Sequence, residues 1–275
     1  MTFPHDFQDF DDAARAVRRS VVKMSYQAQA SHLASSLSCV DILIAALWGV
    51  MKVDLKNSSD PDRDRLILSK GHAAQALYAS LAHRGFFSTE LLSLYNTDGG
   101  VMSEHPGPKC LPGVEAATGS LGHGLSIGLG IALAARLQSR DYKVFVILGD
   151  GECNEGTVWE AALLASAQNL SNMCVIVDFN RLQGTGPSTE IMNLNPLGEK
   201  WSSFGWNTLN VDGHNIEKLT KAMNSIPANN KKPTAVIADT IKGKGVSFME
   251  NDNNWHYRIP TKEQVSDANH ELGFK

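Results

Sequence analysis

Cysteine is scarce in this sequence, and long apolar runs are missing. The 275 residues include four cysteines, Cys39, Cys110, Cys153 and Cys174, and no two of them form a CxxC pair. This spacing argues against a disulfide framework or a cysteine-based metal site, and we expect a cytoplasmic protein. No stretch of about 18 apolar residues occurs, so the sequence predicts no membrane-spanning helix. The N-terminus starts with acidic and aromatic residues, which predicts no signal peptide.

An excess of charge of one sign is missing as well. The chain has 25 Lys and Arg residues against 29 Asp and Glu residues, which gives a formal net charge of -4. This balance argues against nucleic acid or an anionic membrane as the main partner. The length and the 43% hydrophobic content are typical of one large α/β unit. Because we find no internal repeat and no linker, we predict a single domain over 1–275.

The segments that are present alternate between strand and helix patterns. Short β-branched or apolar runs predict strands near 65–68, 143–148, 173–178, 206–211 and 234–239. Helical spacing of apolar residues predicts helices over 11–30, 40–51, 71–84, 121–139, 156–168 and 215–226. This alternation indicates the α/β class, with a parallel sheet covered by helices on both faces. In such sheets, ligands bind at the carboxyl ends of the strands.

The most specific motif follows the predicted strand 143–148. It reads Gly149-Asp150-Gly151, and Asn180 follows the next strand, thirty positions after Asp150. Glycines let the backbone approach a ligand closely, while the aspartate presents a carboxylate at the strand end. An asparagine amide at the end of the neighbouring strand can reach the same point. These hard oxygen ligands suit Mg²⁺ or Ca²⁺, which would bridge a diphosphate, although Gly-Asp-Gly by itself can also be a simple tight turn.

This pattern resembles the thiamine-diphosphate motif, which is usually GDG followed by NN about thirty residues later. Phe179 stands in place of the first of the two asparagines. The resemblance implies that thiamine diphosphate is the cofactor and that Gly151 contacts it. It also implies that Asp150, Asn180 and the backbone carbonyl of Leu182 bind the metal.

Further segments narrow the resemblance to the transketolase family, and together they cover essentially the whole chain. Residues 30–36 (ASHLASS) look like the family's SGHPG-type segment, and residues 63–72 (RDRLILSKGH) are similar to its LSKGH segment. Residues 103–106 (SEHP) and 115–124 (EAATGSLGHG) resemble its GHP and TG-(P/S)-LGQG segments. Residues 239–250 (DTIKGKGVSFME), with Trp255-His256, resemble its TxKGKG…WH ending. The resemblance implies the diphosphate-binding domain of a transketolase.

Four histidines, His32, His72, His105 and His256, lie inside these segments. The resemblance implies that His32, together with Ser35, and His105 contact the donor sugar. It places His72 and His256 near the diphosphate, and it gives His32, His105 and His256 catalytic roles. Imidazole suits this work because it can donate or accept a proton near neutral pH. A lone histidine is more often structural, and the residues alone leave that alternative open for each of the four.

The resemblance assigns roles to five more residues. It places Gly119, Ser120 and Leu121 at the aminopyrimidine of the cofactor, Lys242 at the diphosphate, and Glu155 in a hydrogen-bond network at the interface between two active sites. From the residues alone, Lys242 could equally lie in a solvated basic turn. Glu155 could be a helix N-terminal glutamate that the helix dipole favours.

One catalytic part of a transketolase is missing from this sequence. In the family, a glutamate of the pyrimidine-binding domain activates the cofactor, and that domain follows the present one. Because the sequence ends at Lys275, we expect the pyrimidine-binding and C-terminal domains on a second subunit, in an α2β2 assembly. The expected reaction moves a two-carbon ketol unit from a ketose, or ketose phosphate, to an aldose or aldose phosphate.

Two other classes of protein share part of this pattern. An alpha-type subunit of a 2-oxo-acid dehydrogenase or decarboxylase would share Gly-Asp-Gly but not the four histidines. A non-catalytic regulatory subunit would keep the fold, and loss of Asp150 or Asn180 would favour that interpretation; both residues are present. The sequence leaves open which sugars react and what His123, Phe179 and Tyr257 do.

Overall fold

A five-stranded parallel sheet lies at the centre of the computed structural model, which describes residues 7–274. The strands are β1 (Arg65–Leu68), β2 (Val144–Gly149), β3 (Met173–Phe179), β4 (Asn207–Asp212) and β5 (Thr234–Asp239). Their order across the sheet is β1-β2-β3-β5-β4, and every neighbouring pair is parallel. The first three strands are therefore in sequence order, whereas β5 lies between β3 and β4.

Ten α-helices surround the sheet in the described part of the chain. They are α1 (Phe10–Ala28), α2 (Leu33–Ser38), α3 (Val40–Ile44), α4 (Ala74–Arg84), α5 (His123–Leu137), α6 (Gly156–Ala167), α7 (Ser188–Ile191), α8 (Leu197–Ser203), α9 (Ile216–Met223) and α10 (Lys262–Glu271). Short 3-10 turns precede α4 and α6, and a π-helical segment, Ala45–Val50, continues α3.

Alternate strand residues enter two different cores. In β2, Phe145 and Ile147 pack with α1, α2, α3, α4 and α9 on one face of the sheet. Val144, Val146 and Leu148 pack with α5, α6 and α8 on the other face. Because successive side chains of a strand point to opposite faces, a continuous apolar run is what a sheet covered on both sides requires. The predicted fold class is confirmed.

Four helices of the structure, α2, α7, α8 and α10, were not predicted from the sequence. The first three have only six, four and seven residues, too few to show helical periodicity. In α10, only Ala268 is buried, so no apolar stripe marks the helix. A capping box between Thr261 and Gln264 begins this helix and is its one local signal.

The structure also describes the helices and the cysteines that the sequence analysis considered. No helix among residues 7–274 is long and apolar enough to cross a membrane. All four cysteines are free thiols, and Cys39, Cys153 and Cys174 are buried. Burial raises the pKa of each of these three thiols, so they are packing residues rather than nucleophiles.

Candidate active site

A cavity of about 440 Å³ lies at the carboxyl ends of β1, β2 and β3, where ligands of parallel sheets bind. Twelve residues that the sequence singled out line it: His32, Ser35, His72, His105, Gly119, Leu121, Asp150, Gly151, Glu155, Asn180, Leu182 and His256. Ser120 and Lys242 are not part of this lining. The fold therefore brings residues from seven separate segments to one place.

The predicted metal ligands follow β2 and β3 directly. Asp150 is only 2% exposed, and it accepts a hydrogen bond from the Ser188 hydroxyl at 2.8 Å. Asn180 is also buried; its Oδ1 accepts from the Leu182 amide at 3.1 Å, and its Nδ2 donates to Ser38 Oγ at 3.1 Å. Hydrogen bonds with residues of α2, α7 and the Asn180–Leu182 turn thus hold the two side chains.

A buried ion pair, Lys70–Asp178, lies next to these predicted ligands. Lys70 Nζ donates to Asp178 and to the Ser35 carbonyl, the latter at 3.0 Å. Ser38 and Thr240 hydroxyls donate to the same carboxylate. Burial alone would raise the pKa of Asp178, but the Lys70 ammonium and the hydroxyl donors outweigh burial and lower it. Asp178 is therefore a fully bonded anion, which is what a charge with no exposure to water requires.

The donors at the strand ends fit a divalent cation. Asp150 forms no ion pair with any residue between 7 and 274, and burial, as the largest effect, raises the pKa of its carboxyl group. A carboxylate, an amide oxygen and the Leu182 carbonyl are oxygen ligands of the kind that Mg²⁺ and Ca²⁺ prefer. The buried Nε2 of Gln183, which lines the cavity, has no partner in the described chain. An anionic ligand such as a diphosphate would complete this shell.

Lys242 lies beside the same loop, although it is outside the cavity lining. Its Nζ donates to the carbonyls of Leu182 at 3.3 Å and Gln183 at 3.2 Å, and to Asn253 Oδ1 at 2.9 Å. Burial, and next the charge of Lys70, lower the pKa of Lys242 to about 8. The ammonium is therefore held within the predicted diphosphate region and is not the solvated basic turn of the alternative interpretation.

The four predicted histidines form one cluster that lines the same cavity. The ring centroid of His32 lies 5.0 Å from that of His256, 5.4 Å from that of His72 and 6.0 Å from that of His105. The His32 amide donates to the His256 carbonyl at 2.9 Å. Ser35 Oγ lies 3.2 Å from His256 Nδ1. Residues far apart in the chain are thus bonded to each other directly.

Burial keeps three of these four rings neutral. It lowers the pKa of His32, lowers that of His72 well below its usual range, and lowers that of His256 to about 3, with nearby cations adding to the effect on His72 and His256. From the sequence we expected these rings to change charge near neutral pH. In the structure, these three rings are neutral imidazoles instead, because desolvation disfavours the charged form.

Glu155, Ser120 and Phe179 occupy different surroundings. Glu155 is exposed and precedes α6, and its side chain makes no capping hydrogen bond. Ser120 Oγ contacts His123 Nδ1 at 3.2 Å rather than the cavity. Phe179 packs against the core that contains α5, α6 and α8. The Arg181 guanidinium carbon lies 4.9 Å from the centroid of its ring, so the ring has a packing role.

Sequence reasoning missed the role of Glu152. This buried carboxylate accepts hydrogen bonds from the Ser69 hydroxyl, the Gly122 amide at 2.8 Å and the Gly149 amide at 3.0 Å. It therefore joins the end of β1, the start of α5 and the end of β2. Its sequence neighbours could not reveal this, because a glutamate after Gly-Asp-Gly is typical of an exposed turn.

His214 is another residue whose position the sequence did not predict. Its Nδ1 lies 2.7 Å from Asp41 Oδ2, and its Nε2 accepts from the Ile241 amide at 2.8 Å. Arg18 pairs with the same aspartate and also donates to the Lys244 carbonyl. This network anchors the loop that carries Lys242.

The class of protein follows from comparison with a family profile. The sequence profile described as "Transketolase, thiamine diphosphate binding domain" matches residues 10–275. The chain is thus a thiamine-diphosphate-binding domain, as the residues at the strand ends suggested.

The particular family follows from full-length relatives. One subunit of an apulose-4-phosphate transketolase from Phocaeicola vulgatus is 41% identical over 255 residues, which are 93% of this chain and 90% of that protein. A 6-deoxy-6-sulfo-D-fructose transketolase subunit from a Clostridium species is 37% identical over 264 residues, which are 96% of this chain and 96% of that protein. The chain belongs to the transketolase family, and the predicted resemblance is confirmed.

Solved structures agree with the fold. A transketolase from Campylobacter jejuni superimposes with a TM-score of 0.90 at 29% identity, over 98% of this chain and 43% of that one. A transketolase from Pichia stipitis gives a TM-score of 0.91 at 27% identity, over 97% and 41% of the two chains. This chain therefore spans less than half the length of those transketolases.

Proposed function

We propose that this chain is the diphosphate-binding subunit of a two-subunit transketolase. The observation that carries the proposal is the convergence, in one cavity, of the Asp150–Asn180–Leu182 oxygen set and the four-histidine cluster. The first set suits a metal-bound diphosphate, and the second suits a polyhydroxylated substrate. Neither set alone would distinguish a transketolase from other thiamine-dependent enzymes.

The division into two subunits rests on the full-length relatives. Those from Phocaeicola vulgatus and Actinobacillus succinogenes are named as transketolase subunits, and alignment with this chain covers 90% and 96% of their own lengths. The partner would carry the pyrimidine-binding domain, in an α2β2 assembly. A surface for it is available on α5 and α6, where Ile127, Leu137, Leu163 and Leu164 are between 37% and 81% exposed. Apolar side chains grouped on one face favour burial against another chain.

The residues of this chain would bind the metal, the diphosphate and the sugar. Asp150, Asn180 and the Leu182 carbonyl hold Mg²⁺ or Ca²⁺, and Lys242 adds a cation against the diphosphate. When bound, thiamine diphosphate supplies the carbanion chemistry that cleaves and forms the carbon–carbon bond. The rings of His32 and His105 would hydrogen-bond the hydroxyls of the sugar, while His72 and His256 would lie near the diphosphate.

The other assignments concern the cofactor's ring and the neighbouring subunit. Gly119, Ser120 and Leu121 would meet the aminopyrimidine through backbone groups, and Gly151 lets the chain pass close to the diphosphate. Glu155, exposed at the rim, would enter the hydrogen-bond network between two active sites. The four free thiols agree with a reducing cytoplasm.

The substrates are a ketose or ketose phosphate and an aldose or aldose phosphate. The two relatives described above act, by their names, on apulose 4-phosphate and on 6-deoxy-6-sulfo-D-fructose, both of which are sugars with an anionic group. We extend this class of substrate to the present chain. A 2-oxo-acid dehydrogenase subunit is the rival, and it does not explain a cluster of four histidines.

Isotope transfer tests the reaction directly. The chain is co-expressed with a pyrimidine-binding transketolase subunit and supplied with a ketose labelled at C1 and C2, an aldose, Mg²⁺ and thiamine diphosphate. We expect both labelled carbons to appear together in the new ketose. A parallel assay replaces the ketose with a 2-oxo acid. Release of carbon dioxide there, with no transfer of label in the first assay, would support the rival function instead.

A further inference from the structure

The Nδ1 edge of His32 is covered by two polar side chains from different segments. Ser31 Oγ lies 3.1 Å from His32 Nδ1 and 3.1 Å from Glu104 Oε1. The direct distance from His32 Nδ1 to Glu104 Oε1 is 3.4 Å. Ser31, His32 and Glu104 therefore form a closed triangle at the edge of the cavity.

Proton counting assigns the direction of these hydrogen bonds. An ionised carboxylate can only accept, so the single Ser31 hydroxyl proton points to Glu104. The serine oxygen then has only lone pairs left for His32, and it accepts from the ring. Nδ1 must consequently carry the proton of the neutral imidazole, and Nε2 must carry the lone pair.

The backbone holds this ring in place from the other side. His32 has φ 67° and ψ 19°, a left-handed conformation that is uncommon for residues with a side chain. Its amide donates to His256, and Gln75 Nε2 donates to the Ser31 carbonyl at 3.0 Å. Such a conformation persists where surrounding contacts over-determine it, and functional sites are the usual place.

Nε2 is the nitrogen that remains for a ligand. Within residues 7–274 it forms no hydrogen bond, while the ring lines the cavity. We propose that Ser31 and Glu104 are positioning residues, which hold His32 in its Nδ1–H tautomer so that Nε2 accepts a hydrogen bond from a substrate hydroxyl. The substrate class rests on the proposed ketol transfer, whereas the tautomer itself does not.

This pair is a feature of the present chain rather than of the family pattern. Ser31 precedes the histidine of the SGHPG-type segment, and Glu104 precedes the histidine of the GHP segment. Both positions are glycine in those patterns. Two side chains that replace two glycines and contact each other, as well as the same histidine, indicate a joint role.

Other charges around His32 do not oppose this assignment. Burial, which acts most strongly, lowers the pKa of His32, and Glu104 partly offsets that effect. His105 and Lys242 lower it further. The rings that also face His32 are His72 and His256. The imidazole is therefore neutral at neutral pH, and the choice of tautomer, not of charge, decides what Nε2 can do.

Nitrogen-15 NMR of the histidine rings in the full-length chain tests the tautomer without cofactor or turnover. Protonated and unprotonated ring nitrogens have well-separated shifts, and the His32 signals are assigned by their loss in His32→Gln. In the wild-type chain we expect Nδ1–H to dominate by about tenfold, the scale of a hydrogen bond to a charged group. A dominant Nε2–H form in the wild type would overturn the proposal.

Variants give the test its controls. Glu104→Ala should reduce the preference for Nδ1–H to less than about threefold and move the His32 titration midpoint to lower pH, because the supporting carboxylate is gone. Asp98→Ala removes an exposed carboxylate six residues before Glu104. It should leave the tautomer preference and the titration midpoint of His32 unchanged. An unaltered His32 tautomer in Glu104→Ala would also contradict the proposal.

The assembled enzyme adds a functional readout. Glu104→Ala should raise the KM for the ketose donor by about tenfold, while the affinity for thiamine diphosphate stays within about twofold. An unchanged donor KM would show that the tautomer does not serve sugar binding. If no assembly transfers ketol units at all, the proposed function fails, and the NMR result still decides the role of Ser31 and Glu104.

Discussion

The two sides of the cavity are built in different ways. On the strand-end side, Asp150, Asn180 and Asp178 are buried, and hydrogen bonds with Ser38 at the end of α2 and Ser188 at the start of α7 fix them. On the histidine side, the rings come from loops far apart in the chain, and contacts between these loops position them. The strand-end side supplies fixed charge for a metal and a diphosphate, whereas the histidine side supplies hydrogen-bond donors and acceptors for a sugar.

The largest expected effect lies on the strand-end side. Asp150→Ala should abolish measurable Mg²⁺-dependent binding of thiamine diphosphate, because too few oxygen ligands remain to hold the cation. Calorimetric titration of the assembled enzyme measures this. Asp141→Ala, which removes an exposed carboxylate just before β2, should bind normally. Undiminished cofactor affinity in Asp150→Ala would contradict the metal assignment.

The buried ion pair should show a large effect on stability. Lys70→Met leaves the Asp178 carboxylate buried without its counter-ion, which costs about 3–5 kcal/mol. Urea unfolding with matched slopes measures the change in the free energy of unfolding. Lys56→Met, at an exposed lysine, should change it by less than about 0.5 kcal/mol. If the two variants are equally stable, the strand-end side does not depend on this pair.

The histidine side should respond in sugar kinetics rather than in cofactor binding. His32→Ala and His105→Ala remove one hydrogen-bonding ring each, and we expect kcat/KM for the ketose donor to fall by about 10- to 100-fold. Thiamine-diphosphate affinity should change by less than about threefold in both. Loss of cofactor binding with normal donor kinetics at saturation would reverse our division of roles.

A smaller effect should appear in the pH dependence of cofactor binding. The pKa of Lys242 is lowered to about 8, and a bound diphosphate favours its ammonium form, so binding takes up a proton above that pH. Affinity should therefore weaken as pH rises, by at most about tenfold per unit. Titrations between pH 7 and 9 measure this, and Lys242→Met should remove the slope. The same slope in that variant would assign the titration to another group.

The two sides also differ in how far the sequence predicts them. Asp150 and Asn180 follow adjacent parallel strands, so sheet geometry alone brings them together. His32 and His105 lie on loops, and His72 and His256 lie in short 3-10 turns, so only the resemblance to a family could group them. Glu152 and His214 were missed because their partners, such as Ser69 and Asp41, are far away in sequence. Local patterns do not encode such long-range hydrogen bonds.

Reconstitution tests the central claim, that this chain supplies one half of a shared active site. Ketol transfer is measured while the pyrimidine-binding subunit is titrated into a fixed amount of the purified chain, with saturating Mg²⁺ and thiamine diphosphate. We expect no transfer by the chain alone and a rate that rises to a plateau near one partner per chain. Robust ketol transfer by the chain without any partner would contradict this account.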